Sequence, residues 1–103
     1  MTQSVARELP EGLKAYRRTP DFTEADVPSA LLNEHSTKEG TWGHIIVKSG
    51  QLRYLVTDPR RQPFERVLTA GSSPGVVEPT VLHRVEPIGA VQFYVQFLRA
   101  EPA

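Results

Sequence analysis

Trp42-Gly43-His44-Ile45-Ile46-Val47, then Lys48-Ser49-Gly50-Gln51, then Leu52-Arg53-Tyr54-Leu55-Val56 is the stretch that decides the fold. Two runs rich in β-branched and aromatic residues flank a short polar segment containing glycine, the composition of strand, turn and strand. It reads as a β-hairpin. Downstream the same grammar repeats: an exposed connection from Thr57 to Pro63, a strand from Phe64 to Leu68, and a turn from Ala70 to Gly75. Val81 to Val85 reads as a strand ending at Pro87, and after a turn at Ile88-Gly89 the run Val91 to Leu98 is the strongest strand of all.

Upstream, Pro10-Glu11-Gly12 starts the ordered part, and Leu13 to Tyr16 reads as an edge strand. Thr23-Glu24-Ala25-Asp26 caps at most one helical turn, because Pro28 pushes Val27 towards an extended conformation. Ala30 to Thr37 then reads as a strand with Leu31, Asn33, His35 and Thr37 on one side. Nine prolines and seven glycines in 103 residues cut the chain into short segments. The expectation is all-β, a sandwich or small barrel of about six to eight strands, forming one domain over residues 1–103 with loose ends at 1–8 and 100–103. Alternation assigns Tyr54, Phe93, Val95 and Phe97 to the core.

Twelve Lys and Arg balance twelve Asp and Glu, so there is no basic excess to attract a phosphate backbone, and nucleic acid is disfavoured as a partner. The absence of cysteine removes disulfides, thiolate metal sites and cysteine nucleophiles, in keeping with a cytoplasmic protein. The apolar runs fall far short of the roughly 18 residues of a membrane span, and Met1 to Pro10 has no apolar signal region.

The chemistry concentrates in His35 and His83, each in a strand edge bounded by turn residues. Imidazole is the commonest side-chain metal ligand and titrates near neutrality, so two brought together by a small β-fold would centre a site. Two ligands hold a divalent ion weakly, and Glu78, Tyr94 and Gln96 are the candidates for a further donor. Thr37 and Trp42 are expected at a ligand pocket, whereas His44 is given a structural or surface role. Arg17-Arg18 and Arg60-Arg61 could attract an anion, although such pairs in loops are ordinarily solvated surface. No Ser-His-Asp grouping or phosphate-cradling loop stands out.

Several motifs occur in an order that resembles one family. They are Leu9-Pro10-Glu11-Gly12, Tyr16-Arg17-Arg18-Thr19-Pro20, His35-Ser36-Thr37-Lys38-Glu39-Gly40-Thr41-Trp42-Gly43, Gly50-Gln51-Leu52-Arg53-Tyr54 and Glu78-Pro79-Thr80-Val81-Leu82-His83. Together they resemble the tellurite-resistance protein B and YeaR-like small cupins. The resemblance implies a double-stranded β-helix, or jelly-roll barrel, whose mouth holds a metal, and a link to oxyanion stress such as tellurite or to nitrate response. Of the metal ligands usual in cupins only His35 and His83 carry over; Thr37 replaces the second histidine, Gly43 stands where a glutamate is usual, and Pro87 where an asparagine is usual.

Two readings follow, and the residues leave open whether either is enzymatic. One is a small cupin-like protein binding a divalent metal (zinc, iron, manganese or nickel) or a small-molecule or oxyanion ligand, with a role in stress resistance. The other is a non-catalytic homodimeric interaction or scaffold protein with structural histidines.

Overall fold

In the computed structural model, which describes residues 9–100, the elements run β1 (Leu13–Arg18), β2 (Phe22–Thr23), α1 (Ser29–Leu32), β3 (Trp42–Val56), β4 (Phe64–Thr69), β5 (Gly75–Val77) and β6 (His83–Ala100). Of the loose ends expected at 1–8 and 100–103, residues 1–8 and 101–103 lie outside the described residues. All pairings are antiparallel, and the six strands form one sheet of order β1-β6-β3-β4, with β2 also on β6 and β5 also on β3. The all-β expectation holds. The order is an open path, so the expected closed jelly-roll barrel is corrected to an unclosed sheet.

The expected hairpin at Lys48–Gln51 is also corrected. Both halves of β3 pair with β6, from Trp42 opposite Leu98 to Val56 opposite His83, so the chain continues through the polar segment without reversing. Register shifts leave Lys48 unpaired on β3, and Gly89 and Ala90 unpaired on β6. Gly50 has φ +80°, and a Cβ there would stand 2.1 Å from the Ala90 carbonyl oxygen. A glycine compatible with a tight turn therefore serves a bulge, which bends a strand and strengthens its twist. By the same device the strands expected at 81–85 and 91–98 are one, and Arg99 and Ala100, expected in a loose tail, pair with Lys14 and Leu13.

The bend folds β3 over on itself. Ile45 and Tyr54 are nine positions apart, about 30 Å in a straight strand. Yet a Cβ built on Gly75 would lie 3.6 Å from Ile45 Cβ and 3.2 Å from Tyr54 Cδ2. The single unpaired residue on β3 switches its inward set from Ile45 and Val47 to Leu52, Tyr54 and Val56, so both halves contribute to one core with Val85, Val91, Phe93 and Val95 of β6. Leu52 and Phe93 are 0 % exposed, each worth on the order of 1.5–3 kcal/mol of burial.

The strand expected from Ala30 to Thr37 is instead the short helix α1 followed by one β-bridge, His35 to His83. Pro28, at φ −58°, precedes the first helical residue, where its missing N–H costs nothing. Asn33 then turns both its backbone N–H and its side-chain Nδ2 onto the Ser29 carbonyl and ends the helix. Among the described residues no helix is long and apolar enough to cross a membrane.

Candidate functional site

The bridge at His35 and His83 exchanges both backbone hydrogen bonds: His35 N–H donates to the His83 carbonyl at 3.1 Å, and His83 N–H to the His35 carbonyl at 2.9 Å. This places the imidazoles on one side with centroids 4.3 Å apart. Each ring is fixed alike. Nδ1 of His35 lies 3.1 Å from the Asn33 carbonyl oxygen, and Nδ1 of His83 lies 2.9 Å from that of Val81. A carbonyl oxygen only accepts, so each Nδ1 carries the proton, and in the neutral ring Nε2 presents a lone pair. His83 is buried, and that desolvation pushes its pKa down to about 4, the Val81 carbonyl opposing the shift and His35 adding to it. At neutral pH His83 is therefore uncharged. Tyr54 stands edge-on to it at 5.9 Å and donates its own hydroxyl to the Val76 carbonyl.

The segment leading into His83 is clamped. Asp58, 4 % exposed, accepts from the Leu82 N–H at 2.9 Å and from the Arg60 backbone and guanidinium, which hold its carboxyl well below the usual range. Arg60 also donates to the Thr80 carbonyl, and the Thr80 N–H donates to the Thr37 carbonyl at 2.9 Å. Thr80 has φ 65°, a conformation β-branched residues avoid, so these contacts hold a strained residue in place. The pair Arg60-Arg61 is thereby explained structurally, since Arg61 meets Glu78 at 3.2 Å.

Both histidines line a cavity of about 420 Å³. Leu31, Ile45, Val77, Val85, Phe93 and Val95 contribute apolar wall, Ser36, Thr37 and Thr41 contribute hydroxyls, and Arg17, Lys38 and Arg99 contribute cations. Arg17 lies over the Phe97 ring at 5.3 Å and Arg99 over that of Tyr16 at 4.1 Å, which steadies two of the three charges. No Asp or Glu lines the cavity among the described residues. With His83 neutral, the charge on its wall is positive.

The remaining expected site residues lie elsewhere, apart from Thr37, which lines the cavity and donates to the Thr41 carbonyl at 2.7 Å. Trp42 does not line it: alternation sends Gly43 and Ile45 inward and Trp42 to the other face. Glu78 is paired with Arg61, Tyr94 lies under the Arg18 guanidinium at 3.8 Å, and Gln96 sits opposite His44 on the outer face. None of the three joins the histidines as a donor, and no group of three His, Cys, Asp or Glu able to hold a metal occurs among the described residues. The donor set thus does not fit the three-ligand site of an open metal centre. His44, on the outer face, has its pKa lowered by burial.

Sequence reasoning missed Lys38 and Arg99 and left Arg17 among solvated charges. Register separates Arg17 from Arg18: Arg17 pairs with inward Phe97, whereas Arg18 pairs with outward Gln96 and binds Asp21 at 2.5 Å.

Comparison with known proteins places this architecture. The TehB-like domain family matches residues 17–95. Two proteins of Haemophilus influenzae strains, each called a probable S-adenosyl-L-methionine-dependent methyltransferase TehB, are 35 % and 34 % identical over 77 residues, which is 74 % of this chain and 27 % of theirs. The chain thus spans about a quarter of the length of these relatives. The crystal structure of TehB from Haemophilus influenzae superposes with TM-score 0.79 and 28 % identity over 87 % of this chain and 32 % of that one. A crystal structure from E. coli (strain K12) superposes with TM-score 0.80 over 92 % of this chain and 98 % of that one; at 22 % identity it shows the shared fold.

Proposed function

This chain belongs to the TehB-like domain family, and on that premise we propose that it is a ligand-holding β-domain in tellurite resistance, taking a small oxyanion into the cavity beside His35 and His83. The observation that carries the reading is the wall itself: Arg17, Lys38 and Arg99 with no carboxylate among the described lining residues. Three cations of one sign at the cavity give it a positive potential that draws an anion in. The cupin-like character implied by the sequence resemblance enters here in a modified form, as an open, bent sheet with its ligand held in the concave face.

The methyl donor named for the relatives does not fit these residues. S-adenosylmethionine carries a positive sulfonium, which a cationic wall repels, and the one described helix has only four residues. In a larger protein, a domain of this kind would instead raise the local concentration of the anion presented to a neighbouring catalytic fold.

Calorimetric titration of tellurite tests the reading, comparing wild type with an Arg17→Gln, Lys38→Gln, Arg99→Gln triple variant. Saturable binding at one site per chain that weakens at least about tenfold in the triple variant, equivalent to 1.4 kcal/mol, is the expected result. Binding that is unchanged by removing the three charges contradicts it.

A further inference from the structure

We propose that the histidine pair makes the cavity selective for oxyanions that still carry an O–H, so that a monoprotonated anion is held and a fully deprotonated one of the same shape is refused. The proposal rests on the oxyanion reading above and assigns the ligand's protonation state.

Hydrogen-bond polarity sets the preference. In each ring Nδ1–H is committed to a backbone carbonyl, that of Asn33 for His35 and that of Val81 for His83. The other nitrogen, Nε2, makes no hydrogen bond among the described residues, and both rings line the cavity. His83 is 4 % exposed and lines the cavity. When a ligand covers such an acceptor, an acceptor placed against it costs the desolvation of both, whereas an O–H in the same position satisfies it.

An anion with no proton offers only acceptors, and against His83 Nε2 it must either repel that lone pair or bring in a proton from solvent. Burial opposes the second route by pushing the ring's pKa down to about 4. A monoprotonated anion meets both demands: its charged oxygens face Arg17, Lys38 and Arg99, and its O–H donates to Nε2. The groups facing the ring are consistent with this. Beside the ring stand His35 and Tyr54, the latter's hydroxyl given to the Val76 carbonyl.

The test uses wild-type protein near neutral pH with one shape-matched comparison, phosphate against sulfate, both tetrahedral, and a second between pyramidal selenite, which carries a proton there, and tetrahedral selenate, which does not. Dissociation constants come from calorimetry, and the histidine ring nitrogens are followed by long-range 15N correlation spectra. Phosphate and selenite binding at least about tenfold tighter than sulfate and selenate, with the His83 Nε2 resonance moving as it accepts a hydrogen bond, is the expected result. Sulfate and selenate binding as tightly as their partners would overturn the selectivity and leave the oxyanion cavity standing. No binding by any of the four anions, nor by tellurite, would overturn the cavity reading together with it. Because the comparison is between ligands on one unmodified protein, no variant has to fold for the answer to be read.

Discussion

His35 and His83 exchange both hydrogen bonds of a single antiparallel bridge, at 3.1 and 2.9 Å, and this one link joins the loop after α1 to the first residue of β6. It fixes the two rings on the same wall, each with Nδ1 on the carbonyl two residues earlier. Ring orientation is thus set by the backbone carbonyls that lie just before each bridge residue, outside the strands.

That orientation predicts the tautomer. At neutral pH His83 should give ring 15N shifts of the Nδ1–H form and keep them down to about pH 5, its pKa being lowered to about 4. An Nε2–H pattern at His83 would contradict the hydrogen bond to Val81.

Stability should follow the same group. The folded pKa of His83, about 4, lies below its ordinary 6.5, so the unfolded chain binds the proton first as the pH falls. Stability is then lost progressively from about pH 6.5 to about pH 4. Between pH 7 and pH 5 the loss from this group is about 2 kcal/mol, measurable by urea unfolding, and a His83→Gln variant should lose less over that interval, whatever its stability at pH 7.

The bend depends on Gly50. Gly50→Ala places a Cβ 2.1 Å from the Ala90 carbonyl oxygen at φ +80° and should destabilise the fold by at least about 2 kcal/mol. Gly12→Ala is the control: its φ is also positive, at +88°, but nothing lies within 4 Å of the added Cβ, and it should cost about 1 kcal/mol. Equal effects in thermal unfolding would mean that the close approach of β3 to β6 at the bulge is not a constraint.

How much of this could be read from sequence follows from the range of the interactions. Alternation alone places Tyr54 and Phe93 in the core, because period two is a property of each strand by itself. Gly50 was ambiguous: a positive φ suits a hairpin turn and a bulge equally, and only the Ala90 carbonyl across the strand pair decides between them. The histidines stood out by residue chemistry, yet the cations beside them did not. Arg17 faces inward only because a shift between Ala15 and Arg17 sets its register against Phe97, and Arg99 joins the wall only because β6 runs on to Ala100. Trp42, expected at the pocket, is carried to the outer face by the alternation that points Gly43 and Ile45 inward.

The cations predict salt dependence. Arg17, Lys38 and Arg99 are exposed at the cavity, so raising ionic strength from about 0.05 to 0.5 M should weaken selenite binding several-fold. Arg99→Ala should weaken it as well while changing stability by no more than about 1 kcal/mol, since the side chain's described contact is the Tyr16 ring. Affinity indifferent to salt would point away from the charged wall.

The most direct measurement of the central claim is an amide and histidine-ring chemical-shift map of the chain titrated with tellurite near neutral pH. Saturable shifts gathered at His35, Thr37, Lys38, His83, Arg17 and Arg99 are the predicted result. Shifts scattered over the outer face around His44 and Tyr94, or none at saturating tellurite, would contradict it.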